Sequence, residues 1–196
     1  MKILLDAGHG VNTPGKKSPD GSLREYKWAR EMATLVKEKL LAQNYDVTYI
    51  CEGIEEDTSL KERCKLINSY CKKLGSKNCL SVSIHINAAA SDKQWHTATG
   101  YSVYVSPNCS ENSKKLAKSI YAEAKKAGLQ GNRSVPKEGY WTMNLAMCRD
   151  TNCPAVLVEN LFMDNKDNCE YLKSKEGKEI IANLLTEGIK NYIKIS

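Results

Sequence analysis

No apolar run in this 196-residue chain approaches the roughly 20 residues that cross a bilayer, so no membrane-inserted helix is expected. No secretory signal is visible. Met1 and Lys2 lead straight into strand-like residues, without a long apolar core or a small-residue cleavage site. Two routes follow: synthesis in the cytoplasm, or a mature exported chain whose signal has been removed. Internal repeats, low-complexity tracts and linker-like stretches are also absent. One domain over residues 1–196 is therefore expected, large enough for a full core without staples. Among the eight cysteines there is no C-x-x-C pair, which argues against a zinc ribbon. Cys64 and Cys71 fall on a helical apolar stripe with Leu60, Ile67 and Leu74, so most cysteines read as reduced, small core residues. Cys148 and Cys153, flanking a short turn, are the one pair whose spacing invites a bridge. A basic tract is missing too. The net charge of +6 is spread over pairs such as Lys16-Lys17, Lys72-Lys73, Lys114-Lys115 and Lys125-Lys126. That pattern reads first as a solvated surface and second as attraction to a polyanion, and no nucleic-acid partner is expected.

What is present is an alternation of strand and helix patterns along almost the whole chain, the mark of an α/β layer fold. Strands are expected near 2–6, 45–50, 79–87, 101–106 and from Pro154 through the apolar run 155–158, with a short one at 145–149. Helices are expected near 23–43, from the Ser59/Glu62 capping box to Gly75, 110–127 and 175–192. Residues 8–21 and 129–143 read as loops, the second placed near a site by its length and its glycines.

Histidine is scarce, and that makes its placement informative. Two of the three histidines stand at or near strand ends: His9, in Asp6-Ala7-Gly8-His9-Gly10, and His85, in Ser83-Ile84-His85-Ile86-Asn87. The carboxyl end of a strand is where open α/β sheets place their chemistry. Along 80–87, Ser81, Ser83, His85 and Asn87 share one face, so His85 points with small polar residues that leave room for a site. Glu25 opens a helix four residues before Ala29 on its core-facing stripe. It reads as a helix-start acid favoured by the dipole, or as a ligand turned toward the sheet. Glu159 ends the most hydrophobic strand, where a carboxylate is costly unless a charge or metal satisfies it. Two histidines and a carboxylate make a common catalytic zinc set, with a further carboxylate free to take a proton from water. Spacing alone leaves open which glutamate has which role.

Taken in order, Asp6-Ala7-Gly8-His9-Gly10, Glu25, Ser83-Ile84-His85-Ile86-Asn87 and Pro154-Ala155-Val156-Leu157-Val158-Glu159 resemble the zinc-dependent N-acetylmuramoyl-L-alanine amidases, cell-wall hydrolases of bacteria and their phages. The resemblance covers nearly the full chain. It implies a three-layer α/β/α fold with a twisted, mostly parallel sheet of about six strands. It implies hydrolysis of the amide between N-acetylmuramic acid and L-alanine of peptidoglycan, with one Zn2+ per chain held by His9, Glu25 and His85, and Glu159 as the catalytic residue. After the glutamate the family's Gly-Phe-Leu-Ser-Asn-like stretch is represented by Asn160-Leu161-Phe162-Met163-Asp164-Asn165, without its glycine. The implied setting is the cell wall, reached as a phage lysin through a hole-forming partner or as an exported protein. A monomer is expected, with peptidoglycan as its partner. Two other readings are a zinc peptidase cutting within the stem peptide and a non-catalytic wall-binding module.

Weaker candidates surround this set. Asp6 reads equally as an orienting acceptor for His9 or as a strand-end turn residue. Arg149 binds a substrate carboxylate or oxyanion, or else makes a structural ion pair. Asn87 contacts substrate or braces its strand end. Trp95, Tyr140 and Trp141 lie on segments expected to rim the site, where rings stack on sugars or pack half-buried. His96 reads as a surface residue.

Overall fold

The computed structural model describes residues 1–196. Six strands form one sheet: β1 (Lys2–Ala7), β2 (Asp46–Tyr49), β3 (Cys79–Asn87), β4 (Ser102–Val105), β5 (Trp141–Thr142) and β6 (Ala155–Phe162). Their order is β2-β1-β3-β6-β4-β5. Every pairing is parallel except β4 with β6. The helices are α1 (Glu25–Leu41), α2 (Leu60–Leu74), α3 (Glu111–Lys126), α4 (Ala146–Arg149), α5 (Lys166–Lys173) and α6 (Lys175–Ile195). No helix is long and apolar enough to cross a membrane.

The period of two along the strands builds two unequal layers. Ile3, Leu5 and Ala7, Leu80, Val82 and Ile84, and Val156 and Val158 belong to a 37-residue core that also takes in α1, α3 and α6. The opposite face carries only a seven-residue cluster, including Leu4, Cys64, Cys79 and Met147, and a three-residue one of Tyr104, Cys148 and Leu157. That face is covered by α2 and the single turn α4. Its thin cover is what leaves space for polar groups where β1, β3 and β6 end.

Local chemistry sets the ends of the elements. Ser59 and Glu62 close a full capping box at the start of α2, a device worth about 1 kcal/mol. All eight cysteines are free, Cys148 and Cys153 included.

The structure differs from expectation in three places. Residues 145–149, expected as a strand, form α4 instead. Adjacent Met147 and Cys148 are both buried, in the two clusters on the same side of the sheet. One helical turn can lay them side by side, whereas a strand would send them to opposite faces. The expected loop 129–143 contributes β5 at the sheet edge. The short α5 was not anticipated. It is capped by the Asn165 side chain, which accepts from the Asn168 N–H, and it buries Cys169 and Leu172.

Candidate metal centre

The site begins where β1 runs out. The Gly8 N–H donates to the Ile84 carbonyl at 2.9 Å, keeping the chain against β3 for one more residue. His9 then turns with φ 61, a left-handed conformation that few non-glycine residues adopt. Two arginines hold the turn. Arg30 Nη1 donates to the His9 carbonyl at 2.8 Å and Arg63 Nη2 donates to it at 3.4 Å. Gly8 has no side chain because the His85 ring fills that space: a Cβ there would lie 2.2 Å from His85 Cε1.

Glu25 opens α1 and is 1% exposed. Its Oε1 lies 3.1 Å from His85 Nδ1 and 3.4 Å from His9 Nε2, and accepts the Ile86 N–H at 3.1 Å. Burial pushes its carboxyl up, but hydrogen bonds from His85 and His9 outweigh burial and hold it at about 2. Burial, the largest single influence, pushes the His85 imidazole down, but Glu25, with Glu159 and Asp6, together push it up further, so it titrates above its ordinary value. The ligand atoms of His9, Glu25 and His85 all lie within 4.8 Å of one another. Glu25 Oε2 is buried with no hydrogen-bond partner. Two imidazoles, one carboxylate and an orphaned oxygen beside them form a donor set that fits a divalent metal ion.

Glu159 stands beside this cluster as the register partner of His85 across β3 and β6. Burial raises its carboxyl to about 7; His85 opposes that rise and Glu25 adds to it. Its Oε2 is likewise buried without a partner. Directly after it, β6 carries a bulge: the register jumps from His85–Glu159 to Asn87–Phe162, and Leu161 adopts φ 63. Leucine therefore takes the left-handed position for which glycine is suited. The bulge is pinned from both sides, by Asn160 Nδ2 donating to the His85 carbonyl at 2.7 Å and the Met163 N–H to the Asn87 carbonyl at 2.8 Å. The four polar residues His9, Glu25, His85 and Glu159 line one cavity of about 350 Å³.

The other candidates divide. Asp6 does not touch His9. It accepts from Ser83 Oγ, which lies 3.2 Å from His85 Nε2, and its other oxygen meets Arg63 Nη1 at 3.4 Å. Asn87 lines the cavity, and its side-chain oxygen accepts the Ala88 N–H. Arg149 lies outside the cavity, in a 2.6 Å ion pair with Asp150. Trp95 is 38% exposed and does not line the cavity. Tyr140 lies under Lys118, and Trp141 packs on Tyr104 and Tyr121; neither lines the cavity. His96 bonds Asp92. Sequence reasoning missed Ser83, Arg30 and Arg63. Ser83 shares a strand face with His85, a readable signal, whereas the two arginines act through contacts distant in sequence.

Two histidines at the ends of β1 and β3 and a glutamate at the start of α1, with a further carboxylate on β6, make an α/β domain whose site has the layout of a hydrolase and a donor set consistent with a metal ion. The chain belongs to the N-acetylmuramoyl-L-alanine amidase family, whose sequence pattern matches residues 3–191. It is 30% identical over 193 residues to the endolysin of Bacillus phage SPP1, covering 98% of this chain and 66% of that protein. It is 27% identical over 197 residues to an N-acetylmuramoyl-L-alanine amidase of Bacillus licheniformis, covering 100% of this chain and 70% of that one. The chain thus spans about two thirds of the length of these relatives. Among solved structures, the N-acetylmuramoyl-L-alanine amidase of Clostridium difficile 630 shares the fold with a TM-score of 0.82 at 22% identity, over 98% of this chain and 96% of that one. An amidase of Mycobacterium smegmatis does so with a TM-score of 0.85 at 20% identity, over 100% and 98%.

Proposed function

We infer that this chain uses one zinc ion, held by His9, Glu25 and His85, to hydrolyse the amide between the lactyl group of N-acetylmuramic acid and L-alanine in peptidoglycan. The observation that carries the reading is the pairing of Glu159 with His85: a carboxylate with an orphaned oxygen, outside the His–Glu–His cluster yet in its cavity. When bound, zinc supplies the positive charge that lowers the pKa of water toward about 7.

The chain's own residues do the rest. Glu159 accepts a proton from the attacking water as oxygen bonds to the lactyl carbonyl carbon. It returns that proton to the alanine nitrogen as the C–N bond breaks, leaving a muramic acid carboxylate and a free amino terminus. Asp6 and Ser83 orient the His85 ring, and Arg30 and Arg63 keep His9 in its turn. The bulge at Leu161 re-aims the chain just past Glu159, and Asn160 ties it back to the His85 carbonyl. Asn87 is at hand for substrate. The chain acts on the cell wall as a monomer and as one catalytic domain. Metal analysis with assay on purified peptidoglycan tests the reading, with about one zinc per chain and release of L-alanine amino termini expected. Cuts elsewhere in the stem peptide would make it a peptidase instead.

A further inference from the structure

Arg133 is a guanidinium built for an anion that the chain does not supply. It lies in the segment between α3 and β5, half-buried. Its Nη1 donates to Ser102 Oγ at 2.8 Å and to the Tyr104 hydroxyl at 3.3 Å. Its flat faces rest on two rings, 5.4 Å from the Trp141 centroid and 5.5 Å from that of Phe162. No carboxylate lies within ion-pair distance of it, although Arg63 has two, Asp6 and Asp57, and Arg149 has Asp150. The Nε–Nη2 edge makes no hydrogen bond within the chain, and that edge is the fork that takes a carboxylate through two parallel bonds. Aromatic walls fix the fork's orientation beforehand, so little side-chain freedom remains to be lost on binding.

Its place relative to the cavity is set by the sheet. Ser102 is the cross-strand partner of Glu159 and Tyr104 that of Leu157; both partners line the cavity. Phe162 pairs with Asn87, which lines it too. Cross-strand neighbours lie about 5 Å apart, and one peptide residue spans about 3.5 Å. A substrate with its scissile amide beside Glu159 therefore brings a group one residue further along within reach of Arg133.

We propose that Arg133 is a specificity-determining residue that binds the free carboxylate of the second stem-peptide residue. This rests on the amidase reading. On the sugar side of the scissile bond the only carboxyl of muramic acid is consumed in the amide. On the peptide side the second residue is a glutamate chained through its side-chain carboxyl, which leaves its α-carboxyl free or, in some walls, amidated. That carboxylate is the anion nearest the bond.

The test compares two N-acetylmuramoyl tripeptides that differ only in that α-carboxyl, free acid against amide. With the zinc-loaded chain, kcat/KM is expected to favour the acid by about 10- to 100-fold, the range for a charged hydrogen-bonded pair. In Arg133→Gln the ratio falls toward one, and in Arg133→Lys, a point charge without the fork, it lies between. The metal-free chain gives a readout without turnover: calorimetric binding of the acid and amide forms of the released tripeptide follows the same order. Equal cleavage of both substrates by the wild type overturns the proposal while leaving the amidase reading intact. So does an Arg133→Gln variant that slows both substrates equally, as a mere prop for the segment would. Failure to cleave either substrate, with the acid preference kept in binding, overturns the amidase reading and leaves Arg133 as an acidic-peptide receptor.

Discussion

Replacing Gly8 with alanine removes no ligand and no charge, yet it should empty the metal centre. The added Cβ would lie 2.2 Å from His85 Cε1, 2.4 Å from Nδ1 and 2.7 Å from Nε2, where ordinary contact begins at 3.4 Å. The ring must retreat by 3.4 − 2.2, or 1.2 Å, at its nearest atom. Metal–ligand distances tolerate about 0.2 Å, so His85 is lost as a ligand. Its 3.1 Å contact with Glu25 is lost with it. Changes to residues that merely support a ligand typically cost about 10- to 100-fold in metal affinity; displacing the ligand itself should cost at least about 100-fold. The fold suffers less. Overpacking of this kind costs about 1–3 kcal/mol, or a fall of several degrees in melting temperature for a chain of this size. The Gly8 backbone is outside the left-handed region, so alanine adds no strain there. Gly15 is the control. Its φ is 72 with open space around it, so Gly15→Ala strains the backbone by about 1–2 kcal/mol without touching the site. Zinc titration alongside thermal melting separates the two: Gly8→Ala loses metal, Gly15→Ala keeps it. A Gly8→Ala chain that binds zinc as tightly as the wild type would refute the cradle.

Other expectations follow from the same geometry. Glu159→Gln should keep zinc and fold but lose about 10²- to 10⁴-fold in rate, and near-normal turnover on peptidoglycan would remove Glu159 from the mechanism. His85→Ala should leave the purified chain without stoichiometric zinc; unchanged metal content would show the ligand set to be wrong. A thiol count after unfolding without reductant should give eight free groups, and a count of six or fewer would contradict it. In the folded chain Cys109 should react first, because it is half-buried while the other seven cysteines are buried.

The longer strands and the long helices were legible because periodicity is strong over long segments, while the mostly parallel order of the sheet came with the family resemblance. His9 and His85 were legible for a different reason: histidines are few, and two of them stand at or near strand ends, whereas the choice of Glu25 over Glu159 as their partner came with the family resemblance. Short elements were not. Met147 and Cys148 carry no repeat long enough to distinguish a helical turn from a strand, and only their shared burial on one side of the sheet decides it. The support around the site was also hidden. Arg63 follows a capping box and looks like a helix-surface residue, yet it is 2% exposed and spans from Asp57 to the carbonyl of Ala7. Leu161 is similar: nothing in its side chain announces φ 63, and the bulge appears only when β6 is laid against β3. Arg149 and Arg133 show the same limit from opposite sides. The first is tied to its neighbour Asp150, and the second reaches β4 and two rings from a segment that reads only as loop.

The connection from Asn87 to Tyr101 holds no helix, so no separate activator should be needed for turnover. The most direct measurement is therefore made with the purified, zinc-loaded chain alone. Peptidoglycan is digested, and the newly exposed amino termini are labelled and identified. The account predicts that L-alanine is the new terminus, with no new reducing sugar ends. Termini other than alanine, or none from fully metallated protein, would contradict it.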